Sequence, residues 1–310
     1  MEDALSSLLR DVRPVGALVE QSPVRSPWSL RYAEESPLTL LTMLSGNAWV
    51  IPDEGAAVAM NTGDVVIVVG SEPFTVADDP GTAPLVMVLN GECVTLDGEV
   101  VEGELAMCDY DGDPSNSTVL LKSTYRVHGS VSQRVLAALP RVARVPAVPE
   151  GCPTLTMIAS EIRRDAPGQR VILDRLLDLL LVSSLREWFE LPQSQAPAWY
   201  RAHADPLIGR ALRLIHDDPA RAWTVAGLAR AVGASRATFA QRFTELVGQP
   251  PMAYLTEWRI CQAADLLARS DATVDSVARQ VGYSNAYALS VAFKRTLGIP
   301  PGRHRALARS

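Results

Sequence analysis

Residues 224–251 read TVAGLARAVGASRATFAQRFTELVGQPP, and residues 273–301 read TVDSVARQVGYSNAYALSVAFKRTLGIPP. The second stretch repeats the first. Thr224, Gly233, Ser235, Phe243, Gly248, Pro250 and Pro251 recur as Thr273, Gly282, Ser284, Phe293, Gly298, Pro300 and Pro301. The offset is 49 residues as far as the serine and 50 beyond it, so the second copy carries one extra residue in or after its turn. Each copy has the order helix, glycine-containing turn, helix, which is that of a helix-turn-helix DNA reader. Two copies are too few for a solenoid, and two linked readers is the better account.

Local chemistry supports both copies. Thr224 is a suitable N-cap for VAGLARAV, because its hydroxyl can accept an unpaired N–H of the first turn. Gly233 permits the positive φ that ends this helix, and Ser235 caps the next one. There Phe239, Phe243 and Leu246 are expected as the buried stripe. The N-terminal part of such a helix enters the major groove, so Arg236, Ala237, Ala240 and Gln241 are the candidate base contacts, with Ser235 and Arg242 on phosphates. In the second copy Thr273 caps VDSVARQV, Gly282 makes the turn, and the reading helix spans Asn285 to Leu297. Leu289 and Phe293 are its core. Ala286, Tyr287, Ser290 and Val291 are its candidate base contacts, and Asn285, Lys294 and Arg295 its phosphate contacts. Between the copies, PMAYLTEWRICQAADLLAR reads as one helix of about 18 residues, roughly 27 Å long. That length suits two reading helices near one DNA turn apart, about 34 Å.

The charge distribution agrees. The net charge is −6, but from Asp205 onward there are 14 Lys and Arg against 8 Asp and Glu, leaving 15 against 27 in residues 1–204. A basic rear half suits phosphates, whereas an acidic front half does not. A further helix from about Pro206 to Asp217 opens the basic half.

The front half reads differently. LTLLTML, AWVIP, DVVIVV, FTV, LVMVL, ECVTL and TVLLKSTYRV are short β-branched runs, broken by Gly- and Asp-rich turns at intervals of about ten residues, which implies a sandwich or barrel. After His128 the apolar spacing becomes helical, and LPQSQAPA near Leu191 to Ala198 reads as a linker. The fold class expected is therefore α+β. A barrel at 1–128 precedes a helical dimerisation and connector segment with its linker at 129–198, and an all-α reader with two helix-turn-helix motifs occupies 199–310. MEDALSSLLR lacks the pattern of a signal peptide, and no apolar run is long enough for a membrane span, so a cytoplasmic protein is expected.

The run from VAGLARAVGASRATFAQRF through VGQPPMAYLTEWRICQAADLL to VARQVGYSNAYALSVAFKRTLGIPP resembles the AraC/XylS family of bacterial transcription regulators. The resemblance covers about 100 residues. It implies a DNA-binding unit that reads an asymmetric half-site of promoter DNA, works as a homodimer, and engages RNA polymerase if it activates. The family often carries Arg two residues before the second-helix Phe. Val291 stands there, which implies phosphate or thymine-methyl contact in place of polar base reading. The β-rich region is similar to the cupin-type sensor that often precedes this reader. PGQRVILDRLLDLLLVSSLREWF and WYRAHADPLIGRALRLIHDDPARAWTV resemble its connecting segment.

Chemistry beyond binding finds little support in the residues. A cupin metal site needs two or three His with a carboxylate, but the only His are His128, His203, His216 and His304, none of them between Leu38 and Val119. A metal-dependent oxygenase fused to a reader is thus the weaker alternative, and no cofactor is expected. The barrel is expected to bind a small organic effector or to dimerise. Trp28, Met43, Trp49, Phe74 and Tyr125 are candidate pocket residues, and Leu173, Leu176, Leu177, Leu180 and Leu181 are candidates for a subunit contact. A thiol switch through Cys93 and Cys108 is a third reading. The neighbouring carboxylates Glu92, Asp97, Glu104 and Asp109 would raise the thiol pKa, which favours free buried cysteines.

Overall fold

Apolar runs build the strands of the front half. VVIVV is apolar without interruption, and LTLLTML is broken only by Thr39 and Thr42, as strands covered on both faces are. AWVIP is apolar throughout as well, so its residues alone do not say which of its faces is covered. A computed structural model describes residues 12–14, 22–24, 26–89, 92–95, 118–127, 130–164, 166–192, 194 and 196–309. Twelve strands are seen among them: β1 (Val12–Pro14), β2 (Ser22–Val24), β3 (Ser29–Tyr32), β4 (Leu38–Ser45), β5 (Ala48–Pro52), β6 (Val58–Met60), β7 (Val65–Val69), β8 (Phe74–Ala77), β9 (Val86–Leu89), β10 (Glu92–Val94), β11 (Thr118–Val127) and β12 (Val142–Val145). They form two sheets, ordered β1-β11-β4-β7-β12, with β2 also on β11, and β10-β9-β3-β8-β5-β6. β11 pairs antiparallel with β2 and β4, β7 with β4 and β12, β8 with β3 and β5, β5 with β6, and β9 with β10, whereas β3 and β9 are parallel. Leu41, Met43, Val66, Val68 and Leu120 from one sheet meet Leu30, Val50 and Val76 from the other in one apolar core. β4 and β7 are buried along most of their length, and β5 alternates between buried and half-buried.

Pleat parity decides the fate of the candidate pocket residues. Trp28, Met43 and Phe74 belong to the barrel core. Trp49 lies between the core residues Ala48 and Val50, so it takes the opposite face of β5 and is half-buried. Tyr125 is likewise out of phase with the inward Leu120, and its hydroxyl donates to the Leu177 carbonyl at 2.9 Å. The expectation that these five line one pocket is therefore corrected, because two of them face away from the interior. Lys122, in phase with Leu120, is the inward residue that composition had not singled out. Its ammonium is 2.7 Å from Glu34 Oε2 and lies 4.4 Å above the Tyr32 ring.

Eleven helices follow among the described residues: α1 (Ser130–Leu136), α2 (Pro153–Ile162), α3 (Gln169–Glu190), α4 (Ala198–Ala202), α5 (Pro206–Asp217), α6 (Val225–Val232), α7 (Arg236–Val247), α8 (Pro251–Arg269), α9 (Val274–Gln280), α10 (Ala286–Leu297) and α11 (Pro301–Arg309). Residues 13–127 and 139–194 form one compact unit, and 128–138 with 195–310 belong to the other. The expected connector at 129–198 is therefore not a segment of its own. Its first part joins the reader, while α2 and α3 stay with the barrel. On α3, Leu173, Leu176, Leu177, Leu180 and Leu181 are all buried within one chain. That corrects their assignment to a subunit contact, since a side chain already packed at home has no surface left to offer. The apolar side chains α3 does expose are Val171, Ile172 and Leu179.

Candidate nucleic-acid interface

The caps set the two readers. Thr224 Oγ1 accepts the Gly227 N–H at 3.0 Å, and Thr273 Oγ1 accepts that of Ser276 at 3.1 Å. Both first helices then close in the same way. The Ala234 N–H reaches back to the Ala229 carbonyl, and the Tyr283 N–H to that of Ala278. The extra residue of the second copy therefore lies after this closure. In the first copy Ser235 caps α7, its Oγ accepting the Thr238 N–H at 3.2 Å. In the second, the cap moves one place beyond Ser284, to Asn285, whose Oδ1 accepts the Ala288 N–H at 2.9 Å. Asp275 Oδ1 adds a bond from the Ala286 N–H at 3.2 Å, which ties the start of α10 to α9.

α7 buries Phe239, Phe243 and Val247, while Leu246 is exposed. The expected stripe through Leu246 is corrected: the buried line follows steps of four, the ridge along which helices commonly pack. On the other face Arg236, Ala237 and Gln241 are exposed and Ala240 is half-buried. Gln241 Nε2 donates to Glu245 Oε1 at 2.9 Å. α10 buries Leu289, Ala292 and Phe293. It leaves Tyr287 79% and Val291 51% exposed, one turn apart, beside half-buried Ala286 and Ser290. Lys294 and Arg295 are exposed in its last turn.

Several residues that hold this surface in place carry no sequence signature. Asp205 Oδ1 caps α5 through the Leu207 and Ile208 N–H groups at 3.0 and 2.8 Å, and its Oδ2 accepts Arg242 Nε at 2.9 Å. Burial alone would raise the Asp205 carboxyl. The Ile208 N–H, the Arg242 guanidinium and the Leu207 N–H outweigh it and hold the group below the usual carboxylate range. Arg242, expected on a phosphate, is thus anchored to the lead-in helix, with 52% of its side chain still exposed. From α8, Arg259 donates to the Pro219 carbonyl at 2.7 Å and the Arg221 carbonyl at 2.9 Å, and it lies 5.8 Å from the Tyr283 ring. Beneath the first reader, buried His216 meets the Tyr254 hydroxyl at 2.8 Å.

Elsewhere the chemistry is sparse. Cys93 is half-buried against the barrel core, and burial pushes the Cys261 thiol up to about 11. Cys108 lies outside the described residues, as do His128 and the carboxylates Asp97, Glu104 and Asp109. Among the described residues, no group of three or more His, Cys, Asp or Glu is placed to hold a metal ion, and no helix is long and apolar enough to cross a membrane.

Known proteins match both halves. A Cupin family covers residues 3–190, and a Helix-turn-helix domain family covers residues 228–306. An AraC-like transcription regulator of Streptomyces lividans is 36% identical over 247 residues, which is 78% of this chain and 78% of that protein. The chain belongs to the AraC-like transcription regulators. A second AraC-like regulator, from Streptomyces antibioticus, is 40% identical over 178 residues, 55% of this chain and 58% of the other. The HTH-type transcriptional regulator AlkR of Acinetobacter baylyi is 26% identical over 321 aligned positions, covering 98% and 99% of the two chains. This AraC-like regulator therefore pairs a cupin front domain with a reader that binds double-stranded DNA.

Proposed function

We propose that α7 and α10 enter successive major grooves of promoter DNA from one face. The observation that carries this reading is the pair of exposed strips on duplicated helices whose other faces are core: Arg236, Ala237 and Gln241 on α7, and Tyr287 and Val291 on α10. Base edges fall to these five with Ala240, Ala286 and Ser290, and phosphates to Ser235, Arg242, Asn285, Lys294 and Arg295. The two helices read differently. α7 offers a guanidinium and an amide, which pair with guanine and adenine edges, whereas the apolar faces of Tyr287 and Val291 suit thymine methyl groups. α8, at 19 residues and so about 28 Å long, has a length that suits a spacing of roughly one helical turn of DNA.

Tyr287→Ala is expected to lower affinity for a selected operator by about tenfold while leaving random duplex nearly unchanged. Fluorescence anisotropy on both duplexes checks it, and an equal loss on the two would remove Tyr287 from base reading.

The regulator acts as a cytoplasmic homodimer without catalytic activity. Its barrel senses a small organic effector, and its reader meets RNA polymerase where it activates. Val171, Ile172 and Leu179 supply the subunit contact, because they are apolar and exposed on α3, with Ile172 and Leu179 two turns apart on one face. Leu179→Asp is expected to convert the dimer to monomer in sedimentation and to weaken binding to a two-half-site operator by about tenfold. A dimer that survives this change would move the contact elsewhere.

A further inference from the structure

Between β11 and β12, two strands of one barrel sheet, the chain leaves that unit and contributes α1 to the reader. The excursion is tightly tethered. Only residues 128–129 separate β11 from α1, and residues 137–141 separate α1 from β12. α1 lies on α8, the helix between the two readers. Val135 is buried, and the Arg134 guanidinium sits 5.3 Å from the Tyr254 ring centroid and 3.4 Å from Glu257 Oε2. Both partners lead directly to α7. Tyr254 packs edge-on against Phe243 at 5.9 Å, and Glu257 Oε2 accepts Gln249 Nε2 at 3.0 Å, just beyond the end of α7. One cation therefore touches both the residue behind the reading helix and the residue that holds its exit.

We propose that α1 is a strap by which the sensor barrel sets the pose of the first reading helix, with Arg134 as its positioning residue. Both ends of the strap are strands of the barrel, so a change in that sheet's twist or register moves α1 with little slack. Movement of α1 shifts Arg134 against Tyr254 and Glu257, and α7 follows through Phe243 and Gln249. The docked strap holds α7 in its reading pose, and undocking loosens it. The coupling acts on discrimination between sequences, since it works through the pose of α7.

The test is a charge exchange in the full chain. Arg134→Glu and Glu257→Arg are each expected to lower the ratio of operator to random-duplex affinity by about tenfold, and the double exchange to restore it to within about twofold, as a direct pair requires. Hydrogen exchange across residues 239–247 is expected to speed up in each single variant and to slow again in the double, a readout that needs no DNA. If a single variant fails to fold, Arg134→Gln and Glu257→Gln replace the pair. Each is then expected to lower the ratio by about threefold, and the two together by no more than one alone. Unchanged ratios and exchange rates in the single variants, or losses that simply add in the double, would overturn the strap.

Discussion

Gly282→Ala is expected to cost the reader about 2–4 kcal/mol, whereas Gly233→Ala, the same change at the matching position of the first copy, costs about 1 kcal/mol. Both glycines have a positive φ, +87° and +78°, so an alanine side chain is strained at either. Their surroundings differ. A methyl group on Gly233 would meet nothing within 4 Å, but on Gly282 it would lie 2.7 Å from the Ala220 carbonyl oxygen and 2.8 Å from the Ala220 Cα. Those are backbone atoms and cannot rotate aside. Arg259 Nη2, also 2.7 Å away, is already committed to the Arg221 carbonyl.

The contact matters for reading as well as for stability. Ala220 lies in the loop that leads from α5 into the first reader, and Gly282 is the turn of the second. Their close approach, with Arg259 bridging Pro219, Arg221 and Tyr283, is where the two copies are held in fixed relation. Gly282→Ala should therefore lower affinity for an operator that spans both grooves by at least about tenfold, as two contacts lose their fixed spacing. Gly233→Ala should leave it within about twofold, because only local strain is added. Urea unfolding and DNA titration of the two variants side by side decide the matter. Equal effects would mean that the Ala220 contact contributes nothing.

That contrast also marks what the sequence could disclose. Thr224, Ser235 and Thr273 are legible as caps because a cap is local: a short polar side chain satisfies an N–H three residues on. The repeat itself supplied the pairing of the readers. It could not say where the extra residue sits, since moving the cap from Ser284 to Asn285 depends on how the turn closes on α9. Contacts distant along the chain left no trace at all. Asp205 with Arg242, His216 with Tyr254 and Arg134 with Glu257 are each ordinary residues in ordinary helical patterns, and only packing brings them together. The barrel was legible as short strands, but β3 (SLRY), β6 (VAM) and β12 (VARV) hold no two adjacent β-branched residues and so carry no run to mark them. Trp49 and Tyr125 show the remaining gap. Aromatic character marks a residue for burial, and strand phase decides which side it is buried on.

Acidification should destabilise the reader well before its carboxylates protonate. His216 is buried beside Trp258, with ring centroids 4.2 Å apart, and its Nε2 meets the Tyr254 hydroxyl. Burial, then the neighbouring His203 and Arg134, push its pKa down from 6.5 to about 3. The unfolded chain therefore takes up a proton between these two values and the folded one does not. The stabilisation is fully present above about pH 6.5 and is lost as the pH falls, with a slope approaching 1.4 kcal/mol per unit. Between pH 7.5 and pH 5 the loss is about 2 kcal/mol from this one ring. Asp205 does not confuse the window, because its lowered pKa makes its own contribution disappear only at lower pH. Urea melts of the full chain followed by tryptophan fluorescence, which Trp258 and Trp223 report from the reader, measure the slope. His216→Phe keeps a ring in the same space and should flatten the curve across this range, even though losing the Tyr254 bond lowers its level. A parent protein whose stability is level from pH 7.5 to pH 5 would show that the imidazole is not held neutral in the folded reader.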